Sequence, residues 1–209
     1  VNYATLTERL QDTLEVGFTA DQLAMFTIQA EKNVYNSVEV PSQRKILSSA
    51  LTADGRTLTL PNDFIWADSL EVNDGSGQRS YLIQKEYSFM REAYPSDTAT
   101  GLPKYYALLE ADEFVFGPIP DQNYAIELTY GYYPESISTA VTTWLGDNFG
   151  EVLLNAAVVE AGKFNKLEQD VMKMYVDLYA LSLEGMKNVL EGKRKADDYR
   201  AGEVRRLIR

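Results

Sequence analysis

The sequence predicts an α+β fold: a helical bundle formed by the N- and C-terminal helices, with an inserted small antiparallel β domain and an extended C-terminal arm. Three observations carry this. Apolar residues recur at helical spacing in the first forty and the last seventy residues. Between them, short segments alternate with a period of two and are separated by Asp-Gly, Asn-Asp-Gly and Pro-Asp turns. The elements are segregated rather than alternating, which argues against a doubly wound parallel sheet. The expected boundaries are 1–43 for the N-terminal helices, 44–135 for the β insertion, 136–191 for the C-terminal helices and 192–209 for the arm.

Thr5-Leu6-Thr7-Glu8 and Thr19-Ala20-Asp21-Gln22 both match the capping box, a hydroxyl followed three residues on by Glu or Gln. Gly17 separates the two helices they start. In the second, Leu23, Phe26, Ala30 and Val34 form an apolar face, leaving Asp21, Gln29, Glu31 and Lys32 for solvent. Val40-Pro41 ends it, because the residue before proline is driven out of the helical region.

Ile46–Leu51 and Arg56–Leu60 flank Asp54-Gly55, and Asp-Gly between alternating segments signals a hairpin. Ser69–Val72 and Ser80–Ile83 flank Asn73-Asp74-Gly75-Ser76-Gly77 in the same way. A short helix is expected over 85–94, then strands at Lys104–Leu109, Glu113–Phe116 and Tyr124–Tyr132. In the last of these, Tyr124, Ile126, Leu128 and Tyr130 share one face, the mark of a half-buried strand. A small sheet, sandwich or partial barrel results.

Asp147 can cap a helix that carries Val152, Leu153, Ala156 and Val159. A second helix, from about 166 to 190, has Leu167, Val171, Met174, Leu178 and Leu181 at spacings of four, three, four and three. That stripe reads as intrachain core, being too short for a free coiled coil. Gly192 is expected to break the helix.

Composition narrows function. The chain has no cysteine and no histidine, so thiolate zinc sites, thiol nucleophiles, Ser-His-Asp triads and histidine-ligated metals cannot be built. No cofactor, no metal and no enzymatic activity are expected. Carboxylate chemistry needs only two acids, and Asp112-Glu113, Asp63 and Glu71 are the candidates, each at a turn or strand edge where solvation is the simpler reading. Asp197-Asp198 lacks further oxygen ligands, and Asn73–Gly77 lacks both the EF-hand glutamate and the P-loop lysine. The longest apolar run, near Val152–Val159, falls far short of the roughly 20 residues that span a bilayer, so no membrane partner is expected. Val1–Thr5 show no basic start before an apolar stretch, so no export signal is expected there.

The net charge is −11, which opposes general nucleic-acid binding. Charge is uneven. Lys193–Arg209 holds seven basic and three acidic residues, which makes it +4 and the remainder −15. Such a segment could be a solvated helix end, a nucleic-acid contact or a docking segment. Val204, Leu207 and Ile208 interleave with Arg205, Arg206 and Arg209, and apolar residues of this kind favour docking on a partner.

Several stretches, in order, carry a resemblance. They are Leu58-Thr59-Leu60-Pro61-Asn62-Asp63-Phe64, Gly101-Leu102-Pro103-Lys104-Tyr105-Tyr106-Ala107, and Phe114-Val115-Phe116-Gly117-Pro118-Ile119-Pro120-Asp121. Tyr130-Gly131-Tyr132-Tyr133-Pro134, Thr142-Thr143-Trp144-Leu145 and Glu160-Ala161 follow. Over about 54–164 the chain resembles the head-to-tail adaptor (connector) proteins of tailed bacteriophages, which bind beneath the portal ring. The resemblance implies a virion structural protein at the head–tail junction, made in the host cytoplasm. It implies a ring of twelve copies that joins the portal protein to a downstream tail or nozzle protein. That ring would line the channel for double-stranded DNA, without sequence-specific binding. It supplies no catalytic residues, and it places the portal-docking segment at Gly192–Arg209. From the residues of that segment, the docking contacts are expected at Lys193, Arg194, Lys195, Tyr199, Arg200, Val204, Arg205, Arg206, Leu207, Ile208 and Arg209. A different reading uses the 14 tyrosines: a β-sheet module of a tail or cell-surface complex that binds carbohydrate or protein through aromatic faces.

Overall fold

The structure is a computed structural model; it describes residues 1–96 and 98–198, the stretch 192–198 as backbone alone. It divides into two compact units, Val1–Ser42 with Pro134–Arg209, and Gln43–Tyr133. The fold is α+β, with a β unit between helices.

In the helical unit, α1 (Tyr3–Leu14) begins two residues before the expected cap. Asn2 Oδ1 accepts from the Thr5 N–H at 2.9 Å, so Asn2 caps and Thr5 lies inside the first turn. The box at the start of α2 (Ala20–Ser37) is present as expected, with Thr19 Oγ1 accepting from the Gln22 N–H and Gln22 Oε1 from the Thr19 N–H. Leu23, Phe26, Ala30 and Val34 are buried. Glu31 departs from expectation: it is 3% exposed, buried beside Ser136 and Ile137.

The short helix α4 (Ile137–Ala140) has no counterpart in the sequence reading; Ser136 caps it. The next helix, α5 (Trp144–Phe164), is capped by Thr143, whose Oγ1 accepts from the Gly146 N–H at 3.2 Å, and not by Asp147, which sits in its first turn. Its backbone is interrupted at Phe149. α5 is the centre of the unit. Val152, Leu153, Ala156, Ala157, Val158 and Val159 are all buried, a nearly complete circumference, because α1, α2 and α6 (Gln169–Asp198) pack around it. The helix α6 continues through Gly192 to Asp198, so a glycine well inside a helix costs propensity without stopping it.

Two features of α6 overturn the sequence reading of its apolar stripe. Val171, Met174, Leu178 and Leu181 are exposed, Met174 by 50% and Leu181 by 69%. The covered face is instead a second row, Met172, Tyr175, Tyr179, Leu183 and Met186, with Met172 beside Gly162 of α5 and the Tyr175 hydroxyl donating to Thr13 O in the last turn of α1. The covered row differs in carrying two tyrosines, Tyr175 and Tyr179, whose large rings bury more area per residue than Val171 or Leu178 would.

The β unit is a sandwich of two four-stranded sheets sharing one core. Its strands are β1 (Arg44–Leu51), β2 (Thr57–Thr59), β3 (Trp66–Asn73), β4 (Arg79–Tyr81), β5 (Ile83–Gln84), β6 (Tyr105–Glu110), β7 (Glu113–Gly117) and β8 (Tyr124–Gly131). One sheet has the order β1-β8-β3-β4 and the other β2-β7-β6-β5. Tyr124, Ile126, Leu128 and Tyr130 of β8 are buried, as their alternation predicts, and they meet Leu60, Tyr106, Phe114 and Phe116 across the core.

The Asp54-Gly55 turn is real but makes no hairpin. Gly55 N–H donates to Thr52 O, while Ala53 N–H and Asp54 N–H donate to Asn123 Oδ1 and Pro120 O of the β7–β8 connection. Held there, the turn hands the chain from one sheet to the other: β1 pairs with β8 and β2 with β7. The Asn73–Gly77 hairpin forms as expected, pairing Glu71 with Tyr81 and Val72 with Ser80. At buried Leu82 the chain changes sheet again. Leu82 N–H donates to Leu70 O and Ile83 N–H to Lys104 O. β5 then runs parallel to β6, unlike the all-antiparallel unit expected, and α3 (Tyr87–Ala93) lies in the crossover that parallel strands require.

Candidate functional site

The docking segment expected from the sequence lies at the edge of what the structure describes. Lys193, Arg194 and Lys195 fall on the last two turns of α6, where the backbone alone is described. Tyr199, Arg200, Val204, Arg205, Arg206, Leu207, Ile208 and Arg209 lie outside the described residues.

The carboxylates that could have supported acid–base chemistry are dispersed. Asp63 accepts from Lys45 Nζ at 2.5 Å and from the Tyr130 hydroxyl at 2.9 Å. The hydrogen bond from Lys45 holds its carboxyl below the ordinary 3.8, and burial together with Asp63 pushes the Tyr130 hydroxyl up. Glu71 accepts from Arg79 Nη1 at 2.7 Å across the β3–β4 hairpin. Asp112 and Glu113 sit on the β6–β7 turn, where Asp112 O accepts from the Leu60 N–H. Among the described residues no group of three or more Asp or Glu could hold a metal ion. No described helix is long and apolar enough to cross a membrane.

The Asn73–Gly77 loop is closed by its own side chains: Asn73 Oδ1 accepts from the Gly75 N–H, and Asp74 Oδ1 from the backbone and hydroxyl of Ser76. Its acceptors are occupied in holding the turn. The strand tyrosines mainly build the core. Tyr106, Tyr124 and Tyr130 are core residues, and among strand tyrosines Tyr81 alone is largely exposed.

What the quoted motifs build is the sandwich itself. Pro61-Asn62-Asp63-Phe64 folds against the end of β8. Phe64 meets Phe114 edge-on with ring centroids 5.5 Å apart and lies 6.0 Å from Tyr130, while Lys45 caps the Tyr132 ring at 4.0 Å. Gly131 is needed because a Cβ there would lie 2.0 Å from the Trp66 indole. Gly117 is needed because one there would lie 2.5 Å from the Tyr94 ring, which comes from the end of α3. Asp121 accepts from the Tyr124 hydroxyl at the start of β8. These are packing and turn-closing roles. They hold the β unit together.

The buried carboxylate of Glu31 escaped the sequence reading. Its Oε1 accepts from the Ile137 N–H at 2.9 Å, and Ser136 also bonds to it. Burial raises its pKa above the ordinary 4.5, against the lowering effect of those two hydrogen bonds. Nothing local signals this, since its donors are more than a hundred residues away.

The class defined by these features is a helical protein carrying an inserted β sandwich, with its ordered motifs committed to scaffold. The comparison with protein families identifies it further: the model described as SU10 adaptor protein matches residues 1–206, and the chain belongs to this family of phage head-to-tail adaptors. A search of curated proteins gave no match.

Proposed function

We propose that the chain is a virion structural subunit that assembles as a homo-oligomeric ring, of about twelve copies by the family resemblance, between the portal protein and the downstream tail or nozzle protein. The observation that carries this reading is the family match over residues 1–206. In the ring the subunits surround the path of the packaged double-stranded DNA at the head–tail junction of the virion. The excess of acidic residues, −15 outside the last seventeen positions, gives the chain a field that repels DNA phosphates and keeps the duplex from sticking. The apolar and basic segment Lys193–Arg209 docks on the portal, its arginines meeting acidic groups while Val204, Leu207 and Ile208 fill an apolar groove.

Mixing the full chain with purified portal and weighing the product by native mass spectrometry tests both parts. A portal-bound ring is expected. Deletion of 192–209 should abolish the complex while the circular dichroism spectrum keeps its helical and strand content. A chain that stays monomeric with portal present would contradict the proposal.

A further inference from the structure

The exposed face of α6 has a regular composition. Beside Val171, Met174, Leu178 and Leu181 run Asp170, Asp177, Glu184 and Glu191, seven residues apart and therefore aligned along one flank of the helix. Asp170, Lys173, Met174, Asp177, Leu178 and Leu181 line one shallow depression. An apolar stripe of this length facing water marks a surface awaiting a partner.

A second exposed apolar face lies on α2 of the same unit. Met25, 52% exposed, and Ile28 project on the side away from the buried row, between Asp21 and Lys32. The two faces match end to end. Asp21 to Lys32 spans eleven residues with the acid first, and Lys173 to Glu184 spans eleven with the base first. Laid parallel with Asp21 opposite Lys173, Lys32 falls opposite Glu184, and Met25 and Ile28 fall within one residue of Leu178 and Leu181. Reversed over the same spans, Asp21 would meet Glu184 and Lys32 would meet Lys173, like charge on like.

Helix direction within the unit favours the parallel arrangement. α2 is antiparallel to α5, since Phe26 meets Phe164 while Asn33 bonds to Glu160. α6 returns antiparallel to α5 through the short connection after Phe164. α2 and α6 therefore run the same way, and rotating one copy about an axis along them keeps α2 of one parallel to α6 of the next. A two-fold α6–α6 contact would instead press two acidic flanks together, which disfavours it.

We infer that the outward face of α6, centred on Met174, Leu178 and Leu181, receives the Met25–Ile28 face of α2 from a second copy of this chain, in a parallel, head-to-tail contact. This rests on the ring reading above and gives that ring its seam. A contact between two different faces propagates from copy to copy, closing when the rotation allows.

Because the chain has no cysteine, disulfide trapping can read the contact directly. Met25→Cys and Leu178→Cys are made separately in the full chain, assembled with purified portal and oxidised. A mixture of the two variants should give a disulfide-linked dimer on a non-reducing gel, and neither variant alone should. Lys173→Asp should lower the oligomer yield at least several-fold, and Asp21→Lys in the same chain should restore it. A homodimer from Leu178→Cys alone would overturn the head-to-tail geometry, and so would a portal-bound oligomer with no mixed disulfide. Sedimentation of the unaltered chain with portal separates these results from failure of the ring reading, which would show no oligomer of the native sequence.

Discussion

Glu31 on α2 accepts the backbone N–H of Ile137 at 2.9 Å, tying the first turn of α4 to a helix more than a hundred residues earlier in the chain. The bond satisfies a donor that α4 cannot satisfy internally, at the cost of burying a carboxylate.

That cost has a sign. Burial raises the folded-state pKa of Glu31 above the unfolded value near 4.5, so the native state binds its proton more tightly. The contribution to stability is full below 4.5 and is lost as pH rises through the raised folded value. Glu31→Gln keeps an acceptor for Ile137 and should flatten that slope in urea titrations at several pH values. Glu31→Ala leaves the N–H unsatisfied and should cost about 1–3 kcal/mol at neutral pH.

The two apolar rows of α6 give opposite expectations. Met186, 1% exposed, should cost about 2–5 kcal/mol when changed to Ala. Leu178→Ala, on the open face, should change the stability of the isolated chain by about 0.5 kcal/mol or less. Thermal melts of the two variants at low concentration make the comparison.

The caps can be tested as a set. Thr19→Ala and Thr143→Ala each remove an oxygen that accepts a helix-start N–H and should cost about 1 kcal/mol. Thr5→Ala and Asp147→Ala touch no cap oxygen and should each cost less in denaturant titration.

Gly131→Ala forces a methyl into the Trp66 ring and should cost the β unit about 1–3 kcal/mol through overpacking. Trp66→Leu in the same chain removes the clashing ring atoms. The double variant should therefore be more stable than the sum of the two single losses predicts, in the same thermal or urea assay.

What could be read from the chain beforehand divides along a physical line. Local chemistry was legible: the Thr19 box, the alternating face of β8, and the Asn73–Gly77 hairpin depend on neighbours a few residues apart. Pairings were not. Asp54-Gly55 signals a turn equally well whether the next strand joins the same sheet or the other, and the difference lies in Pro120 and Asn123, far along the chain. α6 carries two apolar rows with helical spacing, so periodicity alone could not choose which of Leu178 and Tyr179 faces α5. For the site, the charge imbalance and the missing histidine and cysteine were plain, as was the family resemblance. The α2 and α6 faces were hidden because exposure is decided by tertiary packing.

The β unit enters through Gln43 and leaves through Tyr133, and those ends lie side by side: Tyr132 N–H donates to Gln43 O at 2.9 Å, and Arg44 pairs with Gly131. An insertion closed on itself in this way is topologically a single long loop. Whatever its size, the helices need bridge only the width of one strand pair. Its surface can therefore be remodelled, or the whole sandwich exchanged for another with adjacent ends, without altering the connectivity of the helical unit.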